Sequence, residues 1–125
     1  MPGGIKSYKD LKAWDWAFKL GLKVYRVTET FPDRERFGLT VQIRRCAVSV
    51  ASNIAEGYGR GSLQDYTRFL KVARGSLYEL ETQLMFAKEL RYLEYASYAE
   101  VKRLLDETER TLAGLIRSLE RAFRA

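Results

Sequence analysis

Few side chains in this chain could do chemistry, and their types rule out most catalytic sites. There is no histidine, which removes the commonest general base, the commonest metal ligand and the Glu-x-x-His pairs of di-iron bundles. Cys46 is the one cysteine. Flanked by Ile43, Ala47 and Val50, it reads as a small buried hydrophobe without an activating partner, and no thiolate cluster for zinc or iron–sulfur can form. Gly57-x-Gly59-x-Gly61 has the glycine spacing of a phosphate-cradling loop, but no strand precedes it and no Gly-Lys-Ser/Thr follows, so a P-loop is excluded. What remains is a simple interhelical turn, or a set of free amides opening the next helix beside Arg60 that could hold one phosphate. Asn53, Glu56, Glu81 and Gln83 are polar groups on or beside otherwise apolar faces. A catalytic carboxylate pair is conceivable there, but such groups more often form a hydrogen-bonded network that sets helix register, with Arg44 or Arg45 as countercharge. No catalytic residue, metal or cofactor is expected.

The other group that could act chemically is the set of cations. Lysine and arginine number 22 against 16 acidic residues, a formal charge of +6, so a polyanion such as RNA is a natural partner. Between Arg34 and Arg74 stand Arg34, Arg36, Arg44, Arg45, Arg60, Arg68, Lys71 and Arg74, opposed by Glu35, Glu56 and Asp65. An earlier stripe, Lys12, Trp16, Lys19, Lys23 and Arg26, sets a tryptophan among cations, a mixture that suits phosphate contact with base stacking and equally suits a subunit interface. Arg103, Arg110, Arg117, Arg121 and Arg124 also share one side of a helix, but Asp106, Glu107 and Glu120 lie three or four residues from them. Intrahelical ion pairs are expected to make that row a solvated face.

Four helical segments must position these groups. The 125 residues are 46% hydrophobic and 13% aromatic, enough for one core and one domain spanning 1–125. The first segment is expected to open at Asp10 as N-cap, to present Leu11, Trp14, Ala17, Phe18, Gly21, Val24, Tyr25 and Thr28 inward, and to stop at Phe31 before Pro32. The second presents Leu39, Ile43, Cys46, Ala47, Val50, Asn53, Ile54 and Gly57, and ends in glycines that supply the positive φ of a C-cap. Ser62, with Asp65 three residues on, opens the third, which buries Leu63, Tyr66, Phe69, Leu70, Ala73, Leu77, Leu80, Leu84 and Ala87. After a tyrosine-rich turn, Ser97-x-x-Glu100 reads as the capping box of the fourth, with Val101, Leu104, Leu105, Thr108, Leu112, Leu115, Leu119, Ala122 and Phe123 inward.

No stretch alternates like a strand. Short connections between long helices predict an all-α, antiparallel up-down-up-down four-helix bundle. Residues 1–7 are expected to be disordered. No apolar run approaches the roughly 20 residues that span a bilayer, and no signal peptide is visible, so a cytoplasmic protein without membrane contact is expected.

The order and spacing of short motifs resemble one family. They are Tyr8-Lys9-Asp10-Leu11, Trp14, Val24-Tyr25, Phe31-Pro32, Glu35, Gly38-Leu39, Gln42-Ile43-Arg44-Arg45, Ser49, Asn53-Ile54-Ala55-Glu56-Gly57, Phe69-Leu70, Gly75-Ser76 and Glu79-Leu80-Glu81-Thr82-Gln83. Together they look like the four-helix-bundle proteins encoded in intervening sequences of bacterial 23S ribosomal RNA genes. The resemblance implies a compact subunit of a homopentameric ring, a basic surface that contacts RNA or DNA, and no enzymatic activity. A related branch serves diversity-generating retroelements as an accessory protein that partners a reverse transcriptase and its template RNA. Gln42, Arg44, Arg45, Asn53, Glu56, Glu79, Glu81 and Gln83 match the family's recurring polar positions.

The expected function is therefore non-catalytic binding of structured RNA by a basic homo-oligomeric ring, with Arg44, Arg45, Arg60, Arg68, Lys71 and Arg74 as phosphate contacts and Lys19, Lys23 and Arg26 as a second basic stripe. The alternative is an assembly module for a protein such as a reverse transcriptase, with Trp16 and the tyrosine-rich turn as contacts.

Overall fold

The computed structural model describes residues 4–124. Four helices hold most of them: α1 (Lys12–Val27), α2 (Leu39–Tyr58), α3 (Leu63–Glu89) and α4 (Tyr95–Arg124). Single 3-10 turns cover Tyr8–Asp10, Thr28–Thr30 and Asp33–Glu35, and there is no strand among the described residues. Each helix packs on its neighbour in sequence, and α1 also packs on α4, so that α1 and α3 lie diagonally opposed. Cross-helix contacts give the directions. Arg44 reaches back to Thr28 while Gly21 faces Ala47; Ser49 meets Ser76 while Gly57 meets Phe69; Glu81 meets Lys102 while Lys71 meets Glu120. Residue numbers rise along one helix as they fall along the next, so α1–α2, α2–α3 and α3–α4 are antiparallel pairs.

The core is aliphatic: Leu20, Val24, Ile43, Val50, Ile54, Leu70, Leu77, Leu80, Leu84, Val101 and Leu112 are all fully buried. Each contributes about 1.5–3 kcal/mol of burial. On α1 the buried stripe is Ala13, Ala17, Leu20 and Val24, which overlaps the expected stripe but takes Ala13 and Leu20 in place of Trp14, Phe18, Gly21 and Tyr25. Ala17, Val24 and Thr28 are inside as expected, but Phe18 and Tyr25 are exposed and Trp14 is half-buried. Two alanines bring α1 close to its neighbours, and the ring-bearing side chains turn out beside them. On α4 the expected Ala122 and Phe123 are exposed while Ile116 is buried, because the last turns run past the end of the core.

The helix ends also depart from expectation. Asp10 does not cap α1; its carboxylate accepts the Lys6 and Ser7 amides and closes a capping box on the preceding 3-10 turn. Of the segment expected to be disordered, residues 1–3 lie outside the described residues, while Lys6 and Ser7 are held by Asp10. Gly57 stays inside α2, and Gly59 caps it with φ −78°, so no glycine among the described residues supplies a positive φ. The fourth helix starts at Tyr95, ahead of the predicted box, with the Tyr98 amide donating to the Glu94 carbonyl. Glu100 instead pairs with Lys23 across to α1 at 2.7 Å. Ser62 caps α3 as predicted, its Oγ accepting the Asp65 amide at 3.1 Å.

The left-handed residue is Arg91, with φ 64°. It ends α3 in a Schellman arrangement, the Tyr92 amide donating to the Ala87 carbonyl and the Arg91 amide to that of Lys88. A side chain in this conformation costs about 1 kcal/mol that glycine avoids. Arg91→Gly is therefore expected to raise the thermal unfolding midpoint; an unchanged or lower midpoint would show that the arginine side chain compensates.

Candidate nucleic-acid interface

Because α3 and α4 are antiparallel, the first turns of α3 lie beside the last turns of α4, and cations from both meet there. Lys71 Nζ pairs with Glu120 at 2.8 Å. The Glu120 carboxyl is lowered from its ordinary value by that hydrogen bond and by the Lys71, Arg124 and Arg74 charges around it. Arg117, Arg121 and Arg124 follow at helical spacing on the exposed face that flanks Glu120. Among the described residues none of these three arginines is in an ion pair within 4 Å. The expected intrahelical pairing fails for a specific reason. Glu107 does take Arg110, but Asp106 takes Lys102 and Glu120 takes Lys71 from α3. Sequence spacing showed this row; only the cross-helix pairs show that its C-terminal half is uncompensated.

The cations expected to contact phosphate are spread around the molecule and differently engaged. Arg44 is not available: its Nε donates to Thr28 Oγ1 at 2.8 Å, its Nη2 to the Tyr25 carbonyl at 3.3 Å, and its guanidinium lies 4.7 Å from the Tyr25 ring centroid. It closes the end of α1. Arg45 is exposed on α2. Arg60 and Arg68 lie 4.7 and 4.6 Å from the ring centroid of Phe69 and pair with Glu56 and Asp65. Arg74 is half-buried beside Glu120. Lys19 pairs with Asp15 and sits over Trp16, Lys23 pairs with Glu100, and Arg26 is exposed. The structure thus brings Arg68, Lys71 and Arg74 together with α4 and leaves the α1 stripe apart. Of the tyrosine-rich turn, Tyr95 is 82% exposed, whereas Tyr92 donates to Glu35.

The polar residues expected to form one network fall into separate groups. Asn53 Nδ2 donates to the carbonyl and Oγ of Ser49, and Ser49 Oγ bonds Ser76 Oγ at 2.9 Å. That pair ties α2 to α3 and was not among the network positions predicted from sequence. Glu56 is exposed with Arg60, Glu81 pairs with Lys102 on α4, and Gln42 is exposed. Glu79 and Gln83 approach Cys46, and Gln83 Oε1 is buried without a hydrogen-bond partner. Burial first, then the Glu79 charge, pushes the Cys46 thiol up to about 11. At pH 8 the native thiol is expected to resist a soluble disulfide reagent and to react after denaturation; rapid native labelling would contradict this packing. Among the described residues no cluster of three Cys, Asp or Glu side chains could hold a metal ion, and no helix is long and apolar enough to cross a membrane.

Two apolar features complete the surface. A cavity of about 350 Å³ opens between α1 and α2, lined by Trp14, Phe18, Leu22, Tyr25, Val48 and Ala51. At the end of α3, diagonal to α1, Met85, Phe86 and the capping Leu90 are exposed.

Among curated proteins no sequence matches. A crystal structure from Bacteroides thetaiotaomicron VPI-5482, described as a protein with unknown function from the S23 ribosomal protein family, superposes with a TM-score of 0.77 at 20% identity, over 84% of this chain and 95% of that one. At that identity the likeness concerns the fold. Residues 9–114, most of the chain and all four helices in whole or part, match the family described as 23S rRNA-intervening sequence protein, and to that family the chain belongs.

Proposed function

We propose that this protein is a non-catalytic, RNA-associated subunit that binds structured RNA through the basic end formed by α3 and α4, within a homo-oligomeric ring. One observation carries the reading: Lys71, Arg74 and Arg124 surround Glu120, Arg68 lines the same cleft, and Arg117 and Arg121 lie exposed on the last turns of α4, with Asp65 and Glu120 the acids paired there. Exposed ion pairs of this kind are worth about 0–1 kcal/mol, so phosphate can displace them. The two apolar surfaces support the ring. A groove on α1–α2 and a ridge on α3 are different surfaces, and a contact between unlike surfaces repeats head to tail, giving a ring where the rotation between subunits closes. Five copies of the 14.5 kDa chain, the number that resemblance implies, would repeat the basic end five times.

The test is RNA affinity against salt. Affinity is expected to fall steeply between low and physiological salt through counterion release, and Arg117→Ala with Arg121→Ala to flatten the slope by about one unit per lost phosphate contact. Absence of binding at low salt, or a slope unchanged in the double variant, would overturn the reading. The α1–α2 groove also supports a second reading, an assembly module whose partner is another protein such as a reverse transcriptase. Stoichiometric capture of such a partner without RNA would favour it.

A further inference from the structure

Where the basic end closes, a cleft of about 550 Å³ lies between the first turns of α3 and the last turns of α4. Its lining is unusual for a charged site: Phe123 contributes an aromatic face that is 60% exposed. An amphipathic helix ending in solvent would place a polar residue there, as α4 does at Arg121 and Arg124. Around the ring stand Arg68, Lys71 and Arg124, and Gln64 and Thr67 offer neutral donors and acceptors. Arg68, which lines the cleft, is braced by its contact with Phe69 and by Asp65 at 3.5 Å. Among the described residues Glu120 is the one carboxylate in the lining, and it is occupied by Lys71.

We infer that this cleft is a site for a single-stranded polynucleotide, in which Phe123 stacks an unpaired base while Arg68, Lys71 and Arg124 hold the flanking phosphates. This rests on the RNA-binding reading above and sharpens it: the recognised part of a structured RNA is a loop or end with exposed bases, because a paired base cannot reach the ring. An aromatic face inside a cationic groove is the combination that single strands require, while duplex recognition needs only backbone contacts across a groove. Gln64 and Thr67 then face the edge of the stacked base. Stacking on one ring is tolerant of base identity, so the site is expected to prefer strandedness over sequence. The ribose 2′-hydroxyl is not read by any lining residue the cleft requires, so single-stranded DNA serves as a comparison arm.

The experiment measures anisotropy of labelled oligo(U), oligo(dT) and an RNA duplex of equal length with the full chain, at fixed low salt, for wild type, Phe123→Ala, Phe123→Leu and Phe123→Trp. Phe123→Ala and Phe123→Leu are expected to weaken the single strands by about tenfold or more, Phe123→Trp to retain binding, and duplex affinity to stay unchanged in all three. Single-strand affinity that is insensitive to Phe123→Ala, with RNA binding otherwise intact, overturns the cleft and leaves the proposed function standing. No binding of any nucleic acid by the wild type overturns both. Solution mass is read on the same variants: a lower mass for Phe123→Ala would place the ring in a subunit contact and likewise overturn the cleft.

Discussion

Gly57→Ala is expected to destabilise the protein by about 1 kcal/mol, whereas Gly75→Ala is expected to stabilise it by about 0.5–1 kcal/mol. Both glycines lie inside long helices, where alanine is intrinsically the better residue by about 1 kcal/mol. They differ in what a Cβ would meet. At Gly57 it would come within 2.9 Å of Phe69 Cβ and 3.1 Å of the Tyr66 carbonyl oxygen, neither of them the free end of a flexible side chain. The backbones of α2 and α3 must separate to admit it, at an overpacking cost of about 1–3 kcal/mol that outweighs the propensity gain. At Gly75 nothing lies within 4 Å, so only the propensity remains. Denaturant midpoints of the two variants should move in opposite directions. If both rise, α2 and α3 are not in close contact at their shared turn.

Arg44→Ala is expected to cost about 2–3 kcal/mol, with Arg44→Lys recovering less than half of it. The guanidinium makes one hydrogen bond to Thr28 Oγ1 and one to the Tyr25 carbonyl, and it faces the Tyr25 ring. Hydrogen bonds from a charged group contribute about 1.5–3 kcal/mol, and a cation at a helix C-terminus about 0.3–1 kcal/mol; the contributions share one geometry and do not simply add. Lysine presents a point charge that cannot serve the hydroxyl, the carbonyl and the ring together. This also separates two roles for Arg44. A stability loss with RNA affinity retained fits its place at the end of α1. An affinity loss with unchanged stability would return it to the phosphate contacts that its sequence position suggests.

The bundle was legible in the sequence because helical periodicity is a local property. Leu70, Ala73, Leu77, Leu80, Leu84 and Ala87 lie inside α3 at the positions their spacing predicts, and Ser62 caps it. The cap expected at Asp10 and the box expected at Ser97 form differently in the structure for a common reason. A short polar side chain can satisfy amides on either side of it, and a glutamate can leave its own backbone for a lysine on another helix, as Glu100 does. On α1 two adjacent apolar stripes compete. Local pattern cannot say which will face the core, and packing put Leu20 inside and Phe18 outside.

By itself, the sequence determined the composition of this protein's chemistry: no histidine, one cysteine, an excess of cations and four apolar helical faces. These follow from residue types and spacings of three and four, which survive in any fold that keeps the helices. Only the tertiary structure decided which cations are free. A charge is neutralised by whatever lies within a few ångströms, and distance across a bundle is independent of distance along the chain. Arg44 sits in the basic stretch between Arg34 and Arg74 and is consumed at the end of α1, while Arg117, Arg121 and Arg124 sit near acids that turn elsewhere.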